Sequence, residues 1–160
     1  MNNYKIPNFF GRIKNFGISR LIKSYDFIIS LVICIIGYFT FFNVILNDYK
    51  PVLSDMMNTS ISITTVILAG FAIVISLSDA EFIKILKEYK IYENILFYFE
   101  YTTMISVMVF SISFFLKYVY FLKWVYFFDI FLFIYMLFCL IQLVSFITKF
   151  SIFKGKLYSG

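Results

Sequence analysis

A chain of 160 residues that is 62% hydrophobic, 23% aromatic and only 14% charged cannot hide its apolar surface as a soluble domain, whose exterior carries far more charge. The net charge is +5, and the absence of His removes the common catalytic triads and zinc-hydrolase patterns. The composition reads as an integral membrane protein, with no enzymatic activity, metal or other cofactor expected.

In chain order, residues 1–26 come first as a basic arm, where Phe9, Phe10, Ile13 and Phe16 mix with Arg12 and Lys14. This suits a cytoplasmic or interfacial segment, although Gly11 and Gly17 argue against one firm helix. Lipid explains its charge, and no nucleic acid is expected. Four apolar runs follow, at about residues 27–46, 59–77, 95–120 and 125–148. Each has about the 20 residues that cross roughly 30 Å of hydrocarbon as a helix. The first is too long for a removable signal peptide and lacks a small-residue cleavage site behind it, so it reads as a retained span. Residues 150–160 form a basic tail. The predicted fold is an all-α membrane protein: a four-transmembrane-helix bundle over residues 27–149, with a short helix between the second and third spans.

Eleven of the fourteen Lys and Arg residues lie in the arm, in the 78–94 connection, and at Lys149, Lys154 and Lys156 of the C-terminal end, leaving Lys50, Lys117 and Lys123 for the other side. Basic connections stay in the cytoplasm, so both termini and residues 78–94 are expected there. Abundant Lys, Asn, Ile, Phe and Tyr fit AT-rich coding DNA of a bacterium or its phage. The expected location is the bacterial inner membrane.

The inner connection reads "SDAEFIKILKEYKIYEN". Ser78 and Glu81 have capping-box spacing, and Phe82, Ile85, Leu86 and Tyr89 recur at helical steps. With Lys84, Lys87 and Lys90 they make a surface for lipid, for the bundle, or for a cytosolic sensor or effector protein.

Three polar groups fall inside spans: Glu100, Asp129 and Gln142. Ionisable groups at such depth cost up to about 3 kcal/mol and find partners. Asp129 is within reach of Lys117 and Lys123, while Glu100 shares the depth of Gln142 and neighbours Thr102 and Thr103. Inter-helix glue and a proton or ion step both fit these positions. Cys34 and Cys139 read as small apolar packing residues.

The second span, "SISITTVILAGFAIVISLSD", is short of aromatics in an aromatic-rich chain. On a helix, Asn58, Ser62, Thr65, Ala69, Ala72, Ser76 and Asp79 fall on one line, all small or polar, with bulky residues on both flanks. Close packing of helices in lipid would demand such a line. So would a narrow wet passage ringed by several copies, with Asp55 and Asp79 concentrating cations at its mouths. The 3.5-residue spacing suits a left-handed bundle in either case. Thr103, Ser106 and Ser113 repeat the pattern faintly in the third span.

"ILAGFAIVISLSDAEFIKILKEYKIYENILFYF", with the later "FCLIQLVSFITKF", resembles the RexB-like phage-exclusion membrane proteins over about residues 59–150. The shared features are the small-residue second span, the charged helix with Lys87-Glu88-Tyr89, and the Gln-bearing fourth span. The resemblance implies a four-span inner-membrane ion channel that depolarises an infected cell on a signal from a cytosolic partner. The expectation is thus a homo-oligomeric channel effector in antiviral defence by abortive infection. A non-conducting adaptor working through residues 78–94 is the alternative. A small proton-coupled exporter stands behind it, since the first span lacks the carboxylate such exporters use.

Overall fold

The computed structural model describes residues 11, 24–78, 83 and 91–158. These form four long α-helices: α1 (Tyr25–Asn47), α2 (Tyr49–Leu77), α3 (Ile91–Tyr118) and α4 (Lys123–Tyr158). Three of them, over Tyr49–Ser76, Tyr92–Tyr118 and Lys123–Ile152, are long and apolar enough to cross a membrane. In α1 the stretch Tyr25–Thr40 is apolar but shorter. The arm, Asp79 and the 78–94 surface of Phe82, Lys84, Ile85, Lys87, Tyr89 and Lys90 lie outside the described residues.

Two helix limits differ from those expected. α2 starts at Tyr49, ten residues before the apolar run, because Lys50, Asp55 and Asn58 lower hydropathy without breaking a helix. Pro51 sits in its first turn, where its missing N–H would have had no partner. α4 runs on to Tyr158. At about 1.5 Å per residue its 36 residues exceed any bilayer core, so its last turns extend beyond hydrocarbon. Only Asp48 separates α1 from α2, and residues 119–122 join α3 to α4. Exposed Tyr118, Tyr120 and Trp124 surround that second turn, as aromatic rings do at a membrane–water interface. At the far end of α2 the Ser78 hydroxyl donates back to the Val74 carbonyl at 2.6 Å. Ser78 thereby closes α2.

Packing is unequal. α2 and α3 share the broadest contact, α4 lies against α3 and α1, and α1 barely touches α2. The buried positions explain the geometry. One buried line runs along each helix: in α2, Leu53, Met56, Ser60, Ile63, Ile67 and Val74; in α3, Ile95, Phe99, Thr102, Ser106, Val109, Ser113 and Leu116; in α4, Tyr126, Asp129, Leu132, Met136, Cys139, Leu143 and Phe150, with Phe97, Ile105 and Tyr135 buried beside these lines. Alternating steps of three and four residues give a period of 3.5, the seam of a left-handed bundle. α1 instead holds α4 through Phe27, whose ring meets Phe131 and Tyr135, and Tyr38, whose ring meets Phe127. Ile28, Ile29, Val32, Ile33, Ile36 and Phe39 are exposed, so over residues 25–40 α1 turns much of its surface outward.

Candidate functional site

The line found in the sequence lies on the outside of the bundle. Asn58, Ser62, Thr65, Ala69, Ala72 and Ser76 are all exposed, opposite the α2 seam that meets α3. Ile61, Val66, Leu68, Ile73 and Ile75 flank it and are exposed too. The line is therefore a shallow groove between bulky ridges. Its hydroxyls are already satisfied: Ser62 donates to the Asn58 carbonyl (2.9 Å), Thr65 to Ile61 (3.1 Å) and Ser76 to Ile73 (2.9 Å). Hydroxyls that bond back along their own helix tolerate an apolar neighbour as well as water.

A second polar system runs inside, and sequence reasoning caught only part of it. The Ser106 hydroxyl on α3 donates to the Ser60 backbone carbonyl at 2.7 Å, and its oxygen lies 3.0 Å from the Thr64 hydroxyl, positioned to accept that group's proton. Nearer the α3–α4 turn, the Lys117 ammonium donates to Ser54 Oγ at 2.5 Å, joining α3 to α2. Between them, the Ser113 hydroxyl donates to Asp129 Oδ2 at 2.5 Å, joining α3 to α4. Ser60, Ser106, Ser113 and Asp129 are each 0% exposed. The faint line of Ser106 and Ser113 is thus an interior seam; Thr103, off that seam, bonds back to the Phe99 carbonyl. Ser54, Ser60 and Thr64 were not picked out from the sequence, although Ser60 and Thr64 stand one turn apart on the face that meets α3.

Asp129 departs from its expected pairing. Lys117 reaches Ser54, Lys123 is exposed, and the carboxylate takes a serine hydroxyl instead. Its other oxygen, Oδ1, has no hydrogen-bond partner among the described residues. The reason is register. Lys117 stands one turn beyond Ser113, which brings it level with the first turns of α2. Glu100 is half-buried in a cleft of about 380 Å³ between α2 and α3, walled by Ile67, Phe71, Phe99, Thr103 and Met104. Gln142 is exposed on α4, on no wall of that cleft.

At Gly70, side chains of α3 and α4 both come up against α2. A Cβ there would stand 3.2 Å from Ile147 Cδ1 and 3.6 Å from Phe99 Cε1. Farther from the α3–α4 turn, α3 and α4 meet through aromatic side chains. The Tyr101 and Tyr135 hydroxyls share a 3.0 Å hydrogen bond, and Phe131 stacks on Tyr135. Compared with protein-family models, curated proteins and solved structures, the chain matches none.

Proposed function

We propose that this chain is a four-span protein of the bacterial inner membrane, with α1 as its fourth span and both termini and a short 78–94 helix in the cytoplasm. In this reading several copies meet along the outer line of α2 and enclose an ion-conducting path. The channel acts as a membrane-depolarising effector in anti-phage defence. The last step rests on the RexB-like resemblance, and a cytosolic sensor or effector would supply its trigger.

One observation carries the assembly. α2 has two seams of 3.5-residue period on opposite faces; α3 and α4 cover one, and among the described residues nothing covers the other. A 3.5-residue repeat keeps facing a partner only when another helix winds along it. In lipid, small residues there let backbones approach and gain dispersion contact. The self-bonded hydroxyls favour a second reading on the same assembly, a seam packed dry with no conduit.

Cysteine substitution separates the two readings. In a background lacking Cys34 and Cys139, cysteines at Ser62, Thr65, Ala69, Ala72 and Ser76 should form inter-subunit disulfides. They should also react with a small charged thiol reagent that blocks current in planar bilayers. The controls are Val66 and Ile73, exposed on the same helix but off the line, since Ile63 and Ile67 are silent merely by burial. Disulfides without reagent labelling mean a dry seam. Equal labelling at Val66 and Ile73, or no disulfide anywhere, defeats the assembly.

A further inference from the structure

The buried Asp129 has no role in that proposal, and its surroundings give it one. The carboxyl is 0% exposed, its Oδ2 accepts one hydroxyl hydrogen bond from Ser113, and its Oδ1 accepts none among the described residues. An ionised carboxylate in such a place carries a full charge with half of its acceptor capacity empty, which costs several kcal/mol at low dielectric. A neutral acid costs far less.

The charged and titratable neighbours decide what can neutralise it. On α2, Lys50 and Asp55 are exposed; on α4, Lys123 is exposed and Tyr126 is 0% exposed beside the carboxyl's own turn. On α1, Cys34 and Tyr38 both engage Phe127, the thiol at its carbonyl and the ring at its ring. Lys117 on α3 is the one of these cations that is half-buried, and it stands one helical turn from Ser113. It is held elsewhere, on Ser54 Oγ with its ammonium 4.9 Å from the Tyr118 ring. Tyr49, Phe121 and Tyr126 meet ring to ring in series at this end of the core, tilted against one another with centroids 4.1 and 5.5 Å apart.

We propose that Asp129 is a proton-binding site between α3 and α4, carried as the neutral acid in this packed state, and that loss of the proton to water draws the Lys117 ammonium from Ser54 to the carboxylate. The exchange moves a tether of α3 from α2 to α4. It has two discrete arrangements, the ammonium on Ser54 Oγ in one and on the carboxylate in the other, as a switch requires. The inference stands on the packed monomer and is independent of whether the outer line of α2 surrounds a conduit.

The test is infrared spectroscopy of the full chain in phosphatidylethanolamine–phosphatidylglycerol vesicles, titrated from acid to alkaline pH. Near neutral pH the wild type should show a protonated-carboxyl C=O band that Asp129→Asn lacks. Persistence of that band in Asp129→Asn, or its loss in Glu100→Gln instead, overturns the site. Should Asp129→Asn fail to fold, Ser113→Ala keeps the acid and removes the hydroxyl from Oδ2. The band should then move to higher wavenumber, and an unmoved band overturns the assignment. In Lys117→Met the protonated band should persist about one pH unit further into alkali, roughly tenfold in proton concentration. Loss of the band at the wild-type pH overturns the tether exchange.

Discussion

The two faces of α2 carry the same chemistry to different ends. The inner face has Ser60 and Thr64, both within bonding distance of Ser106 across the interface, and Ser54, on the flank of α2, accepts from Lys117 of α3 while its own hydroxyl donates back to the Lys50 carbonyl. On the outer face Ser62, Thr65 and Ser76 bond only to their own helix. What differs is the company: α3 stands against one face, and the other is bare among the described residues. A hydroxyl in a membrane helix therefore does not by itself signal water. It acts as glue where a partner helix comes close and as a masked, slim position where none does.

Bulk at the two faces breaks this comparison most sharply. Ser106→Leu inserts a large side chain at a position 0% exposed between α2 and α3. Overpacking of this kind costs about 1–3 kcal/mol, and the loss of the bond to Ser60 adds to it. Ser62→Leu, on the exposed line, should leave the monomer's unfolding in a mixed-micelle SDS titration unchanged while abolishing inter-subunit crosslinking. If both substitutions shift the unfolding midpoint equally, the inside–outside assignment of α2 is wrong.

The sequence made the outer line easy to see and the inner seam hard. Ala69, Ala72 and the hydroxyl residues stand out because their neighbours are bulky, so contrast in size draws the line without any structure. The inner seam mixes Leu53, Met56, Ser60, Ile63, Ile67, Gly70 and Val74, and side chains of graded size interlocking with a partner leave no contrast to read. Which line faced inward was equally out of reach, because a helix with apolar residues all round has no amphipathic face to orient it. The Lys117–Asp129 pairing looked natural from charge and depth. It gave way to Ser54 and Ser113 because rotation about the helix axis, which the sequence does not specify, decides which of two nearby groups a side chain meets.

A smaller effect sharpens the account of the inner hydroxyls. Thr64→Val and Ser106→Ala, combined in a double-mutant cycle on unfolding, isolate the 3.0 Å bond between the two side chains. Interhelical hydrogen bonds in membranes average about 0.6 kcal/mol, since each group finds an alternative in the unfolded state. Here the alternative is visible, because the one Thr64 hydroxyl proton can go instead to the Ser60 carbonyl, also 3.0 Å away. The coupling should fall at or below that average. A coupling above about 1.5 kcal/mol would show that the bond between the helices dominates.

Gly70→Ala is the finest probe, because two effects nearly cancel there. Alanine gains helix propensity, worth up to about 1 kcal/mol in water and less in lipid, where the backbone is already bonded. Against this, its methyl would meet Ile147 Cδ1 at 3.2 Å, closer than ordinary contact. That atom is the far end of a flexible side chain on α4, a helix that touches α2 far less than α3 does. A rotation of the Ile147 side chain relieves the contact at little cost, so Gly70→Ala should lie within about 0.5 kcal/mol of wild type. Gly70→Val adds a second branch toward Phe99, whose buried ring on α3 has no such freedom, and should destabilise by about 1–3 kcal/mol. If alanine is as damaging as valine, α4 is fixed against α2 as rigidly as α3 is, and the inner seam of α2 is a three-helix junction along its length rather than a hairpin leaning on a third helix.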